Sequence, residues 1–195
     1  MSRADSDMAD GRQDHEGEWA LPCPFHALVD ESEVKGYSLT VVAVATADAE
    51  DIRKQLKQLL RPRQRALHFT KESPESRRAI IGAMRGMTIS VKVYHVDARP
   101  KVGRSRCLRP LAESLRNSRC RRLVLDQNDS VVKADRQLLR EVLGGGWDGT
   151  YHHQHDHEEP LLWLADAISW CWNKGGEWLR RLDGIDIEVV EVPCD

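Results

Sequence analysis

Three aspartates stand where their chemistry is hard to explain as packing alone. Asp166 lies in the middle of "EEPLLWLADAISWCW" (residues 158–172), which reads as a buried helix, although Asp is a poor helix former and is rarely buried without a partner. Asp30 closes the apolar run "FHALVD", and Asp126 closes "RRLVLD". In open α/β sheets, sites gather outside the carboxyl ends of strands, so two acids placed there can converge despite their distance in sequence. Carboxylates brought together repel one another unless cations neutralise them, and hard oxygen ligands of this kind suit magnesium or manganese. Each acid also has a plainer reading. Asp30 could be turn chemistry, Asp126 an N-cap or turn residue before "QNDS", and Asp166 an ion-pair partner for an arginine.

Around these acids stand further candidates. Glu159 lies seven residues before Asp166, near the same helical face, although Pro160 places it close to the helix start. The run "YHHQHDHEEP" is rich in histidine. Were it a strand, His153, His155 and His157 would share one face and could take zinc or a phosphate, the less favoured metal reading. His155 or His157 could otherwise move a proton beside the acids. The segment "RPKVGRSRCLRPLAESLRNSRCRR" (residues 99–122) holds Glu113 as its only acid, and its Arg104, Arg106, Arg109 and Arg116 suit a phosphate backbone or else a solvated helix face. Trp163, Trp170 and Trp172 are read as core residues.

The elements that must position these residues follow from periodicity. "FHALVD", the polar turn "ESEVKG" and "YSLTVVAVAT" predict a β-hairpin, and "DAEDIRKQLKQLL" predicts a helix with acids first and bases last. Ser73 before Pro74 marks a helix start. "TISVKVYHV" alternates as a strand, and helices are predicted around "LRPLAESLRNSRC" and over "KADRQLLREVL", the latter closed by Gly144 to Gly146. "TYHHQHDH" reads as a strand, and "GIDIEVVEV" as a last edge strand. This order predicts an α/β fold with a mixed sheet flanked by helices, not a bundle or a sandwich.

At 195 residues and 41% hydrophobic content, the chain suits a single domain with a substantial core. Its formal net charge is −2. Residues 1–21 are too polar to bury enough surface and read as a disordered tail, leaving residues 22–195 as the domain. No run approaches the roughly 20 apolar residues that cross a bilayer, and the start lacks the apolar centre of a signal peptide, so a cytoplasmic protein with no membrane partner is expected. The five cysteines form no C-x-x-C pair, which argues for reduced, mostly packed thiols.

Taken together, "LVDES" (28–32), "LHF" (67–69), "LVLDQ" (123–127) and "EEPLLWLADAISW" (158–170) resemble the bacterial and phage DUF thirty-eight-hundred family. Its marks are an Asp-Glu-Ser at the end of strand one and a Leu-Ala-Asp in a late helix. The resemblance spans most of the chain after residue 22 and implies a ribonuclease H-like fold of the retroviral-integrase superfamily. It implies that Asp30, Asp126 and Asp166 are the metal-binding acids of a nuclease-like centre. Glu31, Glu72 and Glu159 compete for the fourth acid, and in "LHFTK" either His68 approaches the acids with Lys71 on a phosphate, or Phe69 is the anchor and His68 caps a loop. The expectation is a magnesium- or manganese-dependent nuclease acting on DNA or RNA, with a homodimer left open. Its rivals are a non-catalytic nucleic-acid or protein-binding module that keeps the fold, and a zinc hydrolase built on the histidines.

Overall fold

The computed structural model describes Trp19, Leu21 and residues 23–194. Its sheet has six strands: β1 (Phe25–Ser32), β2 (Tyr37–Ala45), β3 (Ile89–Val96), β4 (Cys120–Asp126), β5 (Thr150–Gln154) and β6 (Asp186–Glu191). Their order is β5-β4-β1-β2-β3-β6. Only β2 runs against its neighbours; β1, β4 and β5 are mutually parallel, as are β3 and β6. The hairpin from β1 to β2 turns through Lys35 and Gly36, both at positive φ. At Gly36 a Cβ would stand 2.6 Å from the carbonyl oxygen of Val96, so only glycine fits.

Helices cover both faces. Strand alternation sends Leu28, Val42, Val44, Val91 and Val124 to one face, where they pack with α1 (Ala49–Gln58), α2 (Pro74–Met84) and α5 (Leu162–Lys174). The intervening residues Ala27, Val29, Val41, Ala43 and Leu125 go to the other face, under α3 (Pro100–Arg116) and α4 (Val132–Leu143). A short α6 (Gly176–Arg180) follows α5. Ser73 caps α2 as expected, accepting from the backbone N–H of Ser76. The mixed, helix-flanked α/β sheet expected from the sequence is the fold observed.

Three boundaries differ from the sequence reading. Helix α3 begins at Pro100, well before "LRPLAES", because Pro100 suits a first turn and Gly103 lets the helix lie against Tyr37, whose Cβ is 2.4 Å from where a Gly103 Cβ would be. Strand β5 ends at Gln154, and residues 155–157 turn away from it. The packed body also reaches back before residue 22. Trp19 and Leu21 are buried, and the Trp19 ring lies 5.5 Å from that of Phe25. The rest of the tail expected over residues 1–21 lies outside the described residues. Cys107, Cys120 and Cys171 are buried free thiols.

Candidate metal and nucleic-acid site

Side-chain parity decides which acids meet. Along β1, Asp30 shares the face of Leu28, which is the face covered by α5; along β4, Asp126 shares that of Val124, the same face. The parallel register pairs Val29 with Leu125, so both strands carry their aspartate one residue further on. Asp166, in the second turn of α5, comes down onto this spot. Its Oδ2 accepts the backbone N–H of Phe69 at 2.8 Å, so this bond, not an arginine, engages the half-buried carboxylate. The basic helix α3 lies across the sheet from α5.

The three acids line one cleft of about 380 Å³ with His68, Lys71, Gln127, His155, Asp156 and Trp163. Burial, the Asp166 charge and then the Asp126 charge push Asp30 well above the usual carboxylate range, against a hydrogen bond from Ser169. Burial, followed by Asp156 and Asp166, raises Asp126 to about 6. Asp166 is raised by burial and by Asp156, and is restrained by the Phe69 N–H and His68. Each proton affinity reports crowded negative charge in a partly desolvated cleft.

Two participants were not read from the sequence. Asp156 follows β5 at the carboxyl end of a third parallel strand, and its Oδ2 meets Nδ1 of His68 at 3.0 Å. Its backbone oxygen accepts the indole N–H of Trp163 at 2.8 Å, which fixes the loop to α5. The run "TYHHQHDH" reads as one strand through Asp156, which conceals its place at a strand end. Ser169 stands three residues after Asp166, a spacing that puts both on one helical face.

Several expected site residues are placed elsewhere. Glu31, one residue past Asp30, faces the opposite side of the sheet, where Tyr37 donates to it at 2.6 Å, Asn128 at 3.0 Å, and Arg104 forms an ion pair. Although burial acts the other way, these partners hold Glu31 below the usual carboxylate range. Glu159 sits beside His26 and Arg122, far down the strands from the acids, in a two-pronged pair with Arg53 (both 2.8 Å). Burial raises its proton affinity, but Arg53 more than offsets this, so Glu159 is a structural anion and not a fourth acid of the cleft. Glu72 is engaged by Gln64, Ser76 and Arg61.

The basic block also corrects the expectation. Arg104 is buried and clamped by Asp135 at 2.9 and 2.7 Å, so it cannot meet a phosphate. Arg106 donates to the Pro193 carbonyl and Arg109 to Glu141; Arg116 is exposed, but on the helix that lies away from the cleft. Lys71 is exposed and lines the cleft, as expected of a phosphate contact. The histidines do not share a strand face. His153 turns to Asp135 (3.0 Å), whereas His155 and His157 stack on each other in the loop after β5, which removes the geometry of the zinc reading. Among the described residues, no three His, Cys, Asp or Glu side chains are drawn together as a ready-made coordination set. No helix among them is long and apolar enough to cross a membrane.

No family model matches the sequence, and no curated protein is similar to it. The structure, by contrast, is similar to a chain in the solved "PCNA:RNase HII complex from Archaeoglobus fulgidus", with a TM-score of 0.54 and 18% identity over 81% of this chain and 76% of that one. The fold is ribonuclease H-like. At this identity the likeness concerns the fold and leaves activity to be argued from the site.

Proposed function

We propose that the protein is a metal-dependent nuclease that hydrolyses phosphodiester bonds in DNA or RNA. The observation that carries this reading is the convergence of Asp30, Asp126 and Asp166, from three separate elements, in one polar cleft where each carboxyl is forced above its ordinary proton affinity. An all-oxygen donor set under mutual repulsion fits magnesium or manganese, with Asp30, Asp126 and Asp166 as holders and Asp156 as a fourth oxygen source. A bound divalent cation supplies charge neutralisation and a more acidic water for attack on phosphorus.

The protein's own side chains do the rest. Phe69 N–H and Ser169 orient Asp166 and Asp30. His68, held at Nδ1 by Asp156, keeps Nε2 for a proton at the leaving or attacking oxygen. Lys71 lines the acidic cleft and also an adjoining groove with Arg65, a cationic approach for the phosphate backbone. The likeness of the fold to the chain of an RNase HII complex is compatible with this reading.

A non-catalytic binding module on the same fold is the second reading, favoured by the lack of a closed coordination set among the described residues. The two part on Asp166→Asn. As a nuclease, the wild type cleaves single- or double-stranded oligonucleotides with manganese or magnesium, and the variant loses at least about 100-fold in rate with unchanged far-UV circular dichroism. Equal rates in the two proteins would sink the assignment.

A further inference from the structure

A second groove, of about 870 Å³, opens beside the acidic cleft and is lined by Gln127, Lys133, Arg136, Arg140 and His153. Gln127, directly after Asp126, lines both spaces, so the groove and the cleft meet at the carboxyl edge of β4. Lys133, Arg136 and Arg140 are spaced three and four residues apart on α4, which places them on one helical face. All three are exposed, and none is ion-paired among the described residues. Elsewhere the arginines Arg53, Arg104, Arg109, Arg121 and Arg181 are each matched with a carboxylate. The only acid lining the groove, Asp129, already accepts the Gln127 amide at 2.7 Å. His153 forms part of the wall, fixed through Nε2 by Asp135, with its Nδ1 buried and without a partner among the described residues.

We infer that this face of α4 is a docking track for the phosphate backbone of a nucleic acid, holding the strand that runs on from the acidic cleft. The inference rests on the nuclease reading and deepens it by naming the surface that holds the substrate. From Lys133 to Arg140 the helix rises about 10 Å, about three nucleotide steps of a duplex strand at 3.4 Å of axial rise each. Three unpaired cations over that length face three to four phosphates of such a strand. Together with Arg65 and Lys71 on the far side, they place the acids between two cationic surfaces. The track replaces the α3 arginines, whose side chains are engaged or turned away.

The test is fluorescence polarisation of a labelled oligonucleotide duplex with the full chain in EDTA, over a series of salt concentrations. The proteins are wild type, Lys133→Gln/Arg136→Gln/Arg140→Gln, and Arg116→Gln as control; cleavage with manganese is measured in parallel. The track predicts that the triple variant binds at least tenfold more weakly and that its log K against log salt slope falls by about two to three, while Arg116→Gln matches the wild type. Normal binding by the triple variant, with wild-type cleavage present, overturns the track and leaves the nuclease reading standing. Binding lost in the triple variant, with no cleavage by the wild type, supports the track and sinks the nuclease reading. A triple variant that keeps the duplex but loses binding to polyglutamate assigns the groove to an acidic protein and overturns the proposal.

Discussion

Asp126 lies where burial, Asp156 and Asp166 all act against its charge, and the Gln127 backbone N–H alone among the main contributors favours it. A carboxyl whose folded pKa is about 6, against 3.8 when free, makes the folded state less stable at neutral pH by about 2 kcal/mol once partial solvation is allowed for. Asp126→Asn keeps the shape and an acceptor oxygen while removing the charge. In EDTA at pH 7.5 the variant should therefore melt about 4–8 °C higher than the wild type. This is the trade expected of a site kept for use at the expense of stability. An unchanged or lower Tm by differential scanning calorimetry would mean that Asp126 is already compensated and that the crowding argument fails.

At the scale of elements, the hairpin and the edge strand are locked together by His95. Its Nε2 meets the Lys35 carbonyl at 3.0 Å, and its Nδ1 meets Glu191 of β6 at 2.9 Å. Both ring nitrogens face acceptors, which favours the imidazolium, and the Lys35 carbonyl followed by Glu191 raises the His95 pKa. A cation favoured by the fold adds stability that is complete below the free value near 6.5 and is lost as pH rises through the higher folded pKa. Urea titrations should show wild type more stable than His95→Gln at pH 6 by up to about 1 kcal/mol, with the gap closing by pH 8.5. A gap that widens with pH would reverse the assignment.

The same scale explains what could be read beforehand. The hairpin, the alternating strands and the helix with Asp166 follow from periods of two and of 3.6, because burial on one face leaves its mark in the residues themselves. Asp30 and Asp126 were legible for the same reason. The pairings Arg53 with Glu159 and Arg104 with Asp135 were not, since they join residues 106 and 31 apart and depend on which helix covers which face. A run of arginines looks alike whether its members are exposed or matched with acids across a packed interface. Asp156 was missed because nothing local distinguishes a strand that stops at Gln154 from one that continues.

At the scale of the whole molecule, the two hydrophobic cores are separated only by the sheet. All nine residues of β2 are buried, with successive side chains on opposite faces. Val42 and Val44 belong to the core beneath α5, and Val41 and Ala43 to the core beneath α3. Neither helical layer can leave without exposing one whole side of β1, β2 and β3, which costs about 25 cal/mol for each Å² of apolar surface. The cores should thus unfold together, although the chain exceeds the size at which two-state behaviour is usual. The tryptophans offer a local probe, because Trp163, Trp170, Trp172 and Trp178 pack in one core and Trp19 and Trp147 in the other. With Trp19→Phe/Trp147→Phe, fluorescence reports the α5 side alone, while far-UV circular dichroism reports every helix and strand. In urea the two signals should share one midpoint and one slope. A fluorescence transition at lower urea would show that the α5 layer, with Asp166, melts separately; the acidic cleft would then rest on a movable helix instead of a rigid sheet.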